Sequence, residues 1–285
     1  MSYKTILIHV NNERNLPRLL EAATALACRD QSHLIGLSAV PPVFIPPATD
    51  MIAAVPGMIE THRDAYRLEE ARMRAIFETA TQDAASPGSF TAEWRSVDTG
   101  IHQTVFDVIV PVARAADLVV ASQADPKWLS TGMLDIADQL ATDSARPVLV
   151  IPNAPRAPFA TKRILVAWNG RREATRAVFD AVPILKHADE VRVLWLDPQA
   201  SSESGDLPTA DICAALARHG VRCEGAIGST TNMAAGETLM FEAAKFGWDL
   251  VVMGCYGHSR LREFILGGAT RDVLQKMTVP VLMSH

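Results

Sequence analysis

The 285-residue sequence predicts an α/β fold: two tandem open-sheet domains, each mostly parallel and five-stranded, with helices on both faces. Three observations predict it. The chain is too long for one typical core and ample for two. It repeats itself at three landmarks. Within each copy, short β-branched runs alternate with amphipathic stretches of ten or more residues, the pattern of βαβ units around a parallel sheet.

The first landmark pairs Lys4 to Asn11 with Lys162 to Asn169, each a short apolar run closed by Asn. The second pairs Asp117-Leu118-Val119-Val120 with Asp249-Leu250-Val251-Val252, and the third pairs Pro147-Val148-Leu149 with Pro280-Val281-Leu282. The offset between copies falls from 158 residues at the first landmark to 132 at the second, so the second copy lacks 26 residues. They are lost after the second strand. There the first copy runs from Leu34–Val40 through a Pro-rich excursion into a long helix near Met58 to Ala80, whereas the second runs from Val191–Leu196 to a short helix near Ala210 to His219.

Near-continuous apolar runs such as Leu250 to Met253 suit strands covered on both faces. Ala174, Val178, Val182 and Leu185, at spacings of three and four, make one apolar stripe on a predicted helix from Arg172 to His187. Asn153 to Pro158 has the composition of a linker. The predicted organisation is a first domain at 1–152, a linker at 153–161 and a second domain at 162–285.

With 48 % hydrophobic and 21 % charged residues, the chain has the balance of a globular protein. A net charge of −5 argues against nucleic acid or an anionic membrane as partner, because either would call for a broad electropositive face. Cys28, Cys213, Cys223 and Cys255 form neither a CxxC pair nor a dense framework, which fits reduced thiols and a cytoplasmic setting. The N-terminus lacks the pattern of a signal peptide, and no apolar run reaches the roughly 20 residues of a membrane span.

In an open parallel sheet, ligands bind beyond the carboxyl ends of the strands. After the strand ending at Met253 the second copy reads Gly254-Cys255-Tyr256-Gly257, then nine residues, then Gly267-Gly268 opening a helix from Ala269 to Met277. Glycine permits close backbone approach to a ligand, and a helix N-terminus attracts phosphate. This spacing resembles the Gly-x2-Gly-x9-Gly-Ser/Thr loop of ATP-binding universal stress proteins. With the strand ending at Asn169-Gly170, and both strands repeated in the N-terminal half, the resemblance extends over nearly the full chain.

That resemblance implies a tandem universal stress protein of Rossmann-like, nucleotide-binding (HUP) type. It implies ATP or another adenine nucleotide, with Mg2+ as an option, held by Ala167, Asn169, Leu196, Met253, Gly254, Gly257, His258, Gly267, Gly268 and Ala269. Two positions depart from the family pattern. Asn169 stands for the usual Asp, keeping a carbonyl but losing the charge, and Gly268 stands for the Ser/Thr whose hydroxyl meets a phosphate. In the N-terminal copy, Ser122 and Asp125 stand where Gly254 and Gly257 do, and Leu134-Asp135 where Gly267-Gly268 do. Carboxylates on a phosphate loop repel the ligand, so this copy reads as structural.

Each feature has a plainer reading. The glycine loop could be an ordinary strand-to-helix turn, and the basic residues His258, Arg260, Arg262 and Arg271 could be a solvated face. Cys255 reads as a small packed residue, Trp168 and Trp195 as core or interface residues, and His219 with Cys223 lacks a second metal pair. No GxSxG, HExxH, Walker lysine or GxGxxG appears. The expectation is a stress-response regulator or sensor without dedicated catalysis, with a client protein unnamed by the sequence. It would be an intramolecular pseudo-dimer, with further homodimerisation left open. The alternatives are a nucleotide-independent scaffold and a slow ATPase.

Overall fold

The computed structural model describes residues 2–41, 55–86, 88–100, 103–124, 136–155, 157–197, 209–230, 233–255 and 268–285. The chain divides into two compact units, Lys4–Ile136 and Met1–Tyr3 with Ala137–His285. The first contains β1 (Thr5–Val10), α1 (Leu16–Asp30), β2 (His33–Val40), α2 (Val55–Ala84), β3 (Thr91–Asp98), α3 (Val105–Ala113) and β4 (Leu118–Ser122). Its strands lie in the order β3-β2-β1-β4, all parallel.

The second unit opens with α4 (Ala137–Asp143) and β5 (Val148–Ile151). It continues with β6 (Arg163–Trp168), α5 (Arg172–Asp180), α6 (Val182–Leu185), β7 (Glu190–Leu196) and α7 (Ala210–Arg218). β8 (Glu224–Gly228), α8 (Ala235–Phe246), β9 (Leu250–Gly254), α9 (Ala269–Lys276) and β10 (Val281–Ser284) complete it. The strand order is β5-β10-β9-β6-β7-β8. The fold is therefore α/β, with open, mostly parallel sheets and helices, and each sequence repeat supplies five strands.

The packing boundary at 136/137 falls ahead of the 153–161 segment where the sequence repeat joins. β5 closes the first repeat in sequence, yet it runs antiparallel to β10, which closes the second, with Val281 opposite Val150 and Met283 opposite Val148. Two short edge strands of equivalent sequence thus cover each other, which removes a pairing liability from both.

The repeated aspartates have a shared use. The Asp117 carboxylate, just before β4, accepts from the backbone N–H groups of Lys4 (2.7 Å) and Thr5 (3.0 Å). Asp249, just before β9, accepts in the same way from Lys162 (3.0 Å) and Arg163 (2.8 Å). Each fastens the amino end of a central strand to its neighbour, where unpaired N–H groups would otherwise be stranded. The central strands are buried along nearly their whole length, while the edge strands β3 and β8 are half exposed.

The predicted helix from Arg172 to His187 is two pieces, α5 and α6, with the break at Ala181. Pro183 lacks an N–H to continue the ladder, and its ring crowds the preceding turn. Both pieces still bury the predicted stripe, since Ala174, Val178, Val182 and Leu185 are all within 3 % of complete burial.

Candidate functional site

In the second unit the chain runs β6, β7, β8 to one side and returns to β9 and β10 on the other. The strand order therefore reverses between β6 and β9, where an open α/β sheet forms its ligand crevice. Asn169 follows β6 there, Asp197 follows β7, and Cys255 follows β9.

The pairing register assigns the predicted residues to faces. Leu165 lies opposite Val251 and Arg192, and Ala167 opposite Leu194. By alternation, Ala167, Leu196 and Met253 share one face. α8 covers that face: its Thr238, Glu242 and Phe246 line a cavity of about 190 Å³ with Leu165, Leu194 and Leu196. At the cavity's amino end the guanidinium groups of Arg163 and Arg192 lie 4.9 and 5.2 Å from the ring centre of Trp248.

The start of α9 belongs to the same side. A Cβ on Gly236, in the first turn of α8, would lie 2.6 Å from the Ala269 carbonyl and 2.8 Å from Asp272 Cβ. Only glycine lets the two first turns touch. Gly268 is the N-cap of α9, with φ −71° and ψ 148° and no side-chain cap. The Arg271 and Asp272 N–H groups reach the Gly268 carbonyl at 3.0 and 3.2 Å, and the start of the helix carries the positive end of its dipole. Ala167, Leu196 and Met253 thus lie on the sheet face that α8 covers, and Ala269 meets the first turn of that same helix. Gly257, His258 and Gly267 lie outside the described residues.

Gly254 is placed as expected but for a different reason. It ends β9 inside the ladder, opposite Ser284. A Cβ there would lie 2.5 Å from both Ala174 N and the Glu173 carbonyl carbon. Its missing side chain admits the first turn of α5 rather than a sharp turn toward a ligand. Sequence reading could not separate the two, because the α5 contact comes from a segment eighty residues away.

Asn169 also differs in detail. Its Oδ1 accepts the backbone N–H of Arg171 at 3.0 Å, an Asx turn that leads into α5. Because that N–H is a donor, the atom facing it is the oxygen, so the NH2 group faces outward. The carbonyl credited to this residue by the sequence is committed, and the exposed group is a donor.

The nearby carboxylates are engaged too. Glu173, 4 % exposed, is pushed up by burial. The Arg172 hydrogen bond, a backbone N–H and the charges of Arg172 and His285 outweigh this and hold it below the usual carboxylate range. Asp197, at φ 45°, accepts the Thr230 hydroxyl and the Thr230 backbone N–H at 3.0 Å. These bonds hold it below its ordinary pKa. Cys255 is fully buried, in line with the packing reading. Among the described residues no cluster of His, Cys, Asp or Glu could hold a metal ion, and no helix is long and apolar enough to cross a membrane.

An open parallel sheet with a crevice at its strand-order reversal, flanked by an apolar face and a helix N-terminus, defines a nucleotide-binding type of α/β fold. Residues 160–285 match the family model described as Universal stress protein family, so the C-terminal part of the chain is a universal stress protein domain. A curated universal stress protein of Synechocystis, Slr1230, is 50 % identical over 34 residues, which span 12 % of this chain and 12 % of that protein.

Among solved structures, a universal stress protein from Archaeoglobus fulgidus superposes with a TM-score of 0.68 at 17 % identity. The match covers 100 % of this chain and 96 % of that one. A putative universal stress protein from Pseudomonas aeruginosa gives 0.53 at 15 % identity, covering 99 % and 93 %. These likenesses establish the fold over both halves.

Proposed function

We propose that the crevice of the C-terminal domain binds an adenine nucleotide, ATP foremost, and that the chain is a cytoplasmic stress-response regulator with no dedicated catalysis. The observation that supports it best is the meeting of unlike surfaces. The apolar face of Ala167, Leu196 and Met253 lies on the same side as the uncapped start of α9 at Gly268. A base needs the first and a phosphate the second. The loop residues Gly257, His258 and Gly267 belong to this reading through their spacing.

The N-terminal half is read as a second, structural domain of the same family, joined through residues 153–161, so that the chain is its own pseudo-dimer. The client protein is outside this reading. Calorimetric titration of the purified full chain with ATP should find about one nucleotide per chain, and labelled ATP should turn over slowly or not at all. No binding at any accessible concentration would overturn the reading; two equal sites would overturn the assignment of the N-terminal half.

One observation bears on the scaffold alternative: Phe241 and Phe246 on α8 are 50 % and 40 % exposed, apolar surface that a protein partner could cover. The same titration separates the two.

A further inference from the structure

In the sequence the four cysteines form no motif, and Cys213 and Cys223 stand ten residues apart. The fold brings these two together. β8 is an edge strand, and α7 packs against it. A Cβ on Gly225 would run into the Thr209 hydroxyl and stand 3.6 Å from Cys213 Sγ, so the bare backbone at 225 lets this face of α7 sit close. Cys223, two residues earlier, lies on the same side of the chain by alternation. Its thiol reaches the Cys213 carbonyl at 3.8 Å and hydrogen-bonds to the Cys213 sulfur. Both side chains are half-buried at the rim of the sheet, whereas Cys255 is sealed in the core. Thr209, one turn before Cys213, is fully buried with a hydroxyl that has no hydrogen-bond partner. It leaves a spare donor on the same side of α7 as the Cys213 sulfur.

We propose that Cys213 and Cys223 form a disulfide latch, closed by a peroxide and opened by a thiol reductant, that ties α7 to the start of β8. The latch is independent of any nucleotide. The Cys213 thiolate attacks one oxygen of hydrogen peroxide: an S–O bond forms, the O–O bond breaks, and the departing hydroxide takes a proton and leaves as water. The Cys223 sulfur then displaces the hydroxyl of the sulfenic acid, and its own thiol proton leaves with that hydroxyl as a second water. Two thiols and one peroxide become one disulfide and two waters, the sulfurs together giving up two electrons. Burial raises the pKa of both thiols, Cys223 to about 12, while the Cys223 hydrogen bond offsets part of the rise at Cys213. Cys213 therefore ionises first and Cys223 resolves, and the small thiolate fraction makes the latch slow to close. Once formed, the bond closes the 213–223 segment into a ring and removes freedom from the unfolded chain.

The test treats the reduced full chain with hydrogen peroxide under native conditions, alkylates the remaining thiols in denaturant and maps the peptides by mass spectrometry. The map should show Cys213 joined to Cys223 within one chain. Thermal unfolding of the oxidised protein should lie about 5 °C or more above that of the reduced protein and fall back with dithiothreitol. Cys28→Ser should keep both the link and the shift. Cys223→Ser should lose both and leave Cys213 as a sulfenic acid that dimedone labels, whereas Cys213→Ser should take up little dimedone at Cys223. Recovery of Cys213 and Cys223 from the wild-type chain as free thiols or as sulfinic acids, or links between chains only, would overturn the latch whether or not the variants fold. A link without a rise in thermal midpoint would overturn the pinning of α7. Dimedone on Cys223 in place of Cys213 would overturn the order of attack.

Discussion

The carboxyl ends of β1 and β4 in the first unit and of β6 and β9 in the second occupy equivalent places in the repeat, yet they finish their hydrogen bonds differently. In the first, Asn11 Nδ2 donates to Ser122 Oγ at 2.8 Å in a buried contact, and Asn11 Oδ1 accepts from Asn12 Nδ2 at 3.0 Å. In the second, Gly254 stands at the Ser122 position, and the Asn169 amide keeps its donor outward. The helices that precede the last two strands diverge in the same sense. α3 begins with a capping box, in which the Asp107 carboxylate accepts from the Thr104 N–H at 2.8 Å and the Thr104 hydroxyl accepts from the Asp107 N–H. α8 begins at Ala234 with no side-chain cap bond. At equivalent strand ends the first unit therefore satisfies its side-chain donors internally, while the second leaves the Asn169 NH2 exposed.

The largest expected effect lies in the second unit. Gly254→Val drives a branched side chain into the backbone of α5, where even a Cβ would come within 2.5 Å. Backbone cannot move aside as a side-chain end can, so the cost should be about 3 kcal/mol, the upper range of core overpacking. Thermal unfolding of the full chain should show a drop of several degrees without any ligand. A variant as stable as wild type would mean that α5 does not rest on Gly254.

The first unit has a titrating group with no counterpart at the equivalent position of the second. His9, at the position of Ala167, is 1 % exposed, and its Nε2 has no hydrogen-bond partner among the described residues. Burial pushes its pKa down from 6.5 to about 4. The folded imidazole is neutral while the unfolded one takes up a proton, so the associated stability is whole above about pH 6.5. It is lost progressively as pH falls toward 4. By pH 4.5 the loss should be roughly 2.5 kcal/mol. Denaturant unfolding at pH 7 and 4.5 should show this acid loss in wild type and reduce it in His9→Leu. An equal loss in both would assign it to carboxylates instead.

How much of this was legible in the sequence depended on whether one segment carried the signal. The central strands were, because both faces are covered and their residues are apolar without interruption. The edge strands were not: β3 reads Thr-Ala-Glu-Trp-Arg-Ser-Val-Asp and β8 reads Glu-Gly-Ala-Ile-Gly, with polar residues and glycines that half-exposed strands tolerate. The candidate positions came from the family resemblance, and the strand register then put Ala167, Leu196 and Met253 on one face. What each residue does there was less legible. The role of Gly254 is set by α5, and the polarity of Asn169 by a backbone N–H two residues on; both are tertiary facts without a periodic trace. Strand pairing between β5 and β10 followed from two matched terminal runs, whereas the placement of α4 and β5 with the C-terminal unit did not.

A smaller effect should come from the cap that distinguishes the two helices. Thr104→Ala removes the hydroxyl that receives the Asp107 N–H and should destabilise the first unit by about 1 kcal/mol. Asp107, held below its ordinary pKa first by the Thr104 backbone N–H and then by the Thr104 hydroxyl, should lose part of that depression, which a carboxyl titration by NMR would register. An unchanged Asp107 titration would show that the box does not persist in solution.

The smallest change in the unliganded protein is expected at Gly268. Its φ of −71° and ψ of 148° are open to any residue, so Gly268→Ser carries no backbone strain. Serine is a better N-cap than glycine by a few tenths of a kcal/mol, and thermal unfolding should rise by that little. The liganded protein should respond more. A hydroxyl at the start of α9 adds a donor toward a phosphate, and a hydrogen bond to a charged group contributes about 1.5–3 kcal/mol. ATP should therefore bind about tenfold or more tightly. The two readouts divide the hydroxyl between its possible partners. A gain in stability with unchanged affinity would mean that the side chain turns back to cap the helix, and that phosphate does not reach α9. A gain in affinity with unchanged stability would place the hydroxyl on the ligand.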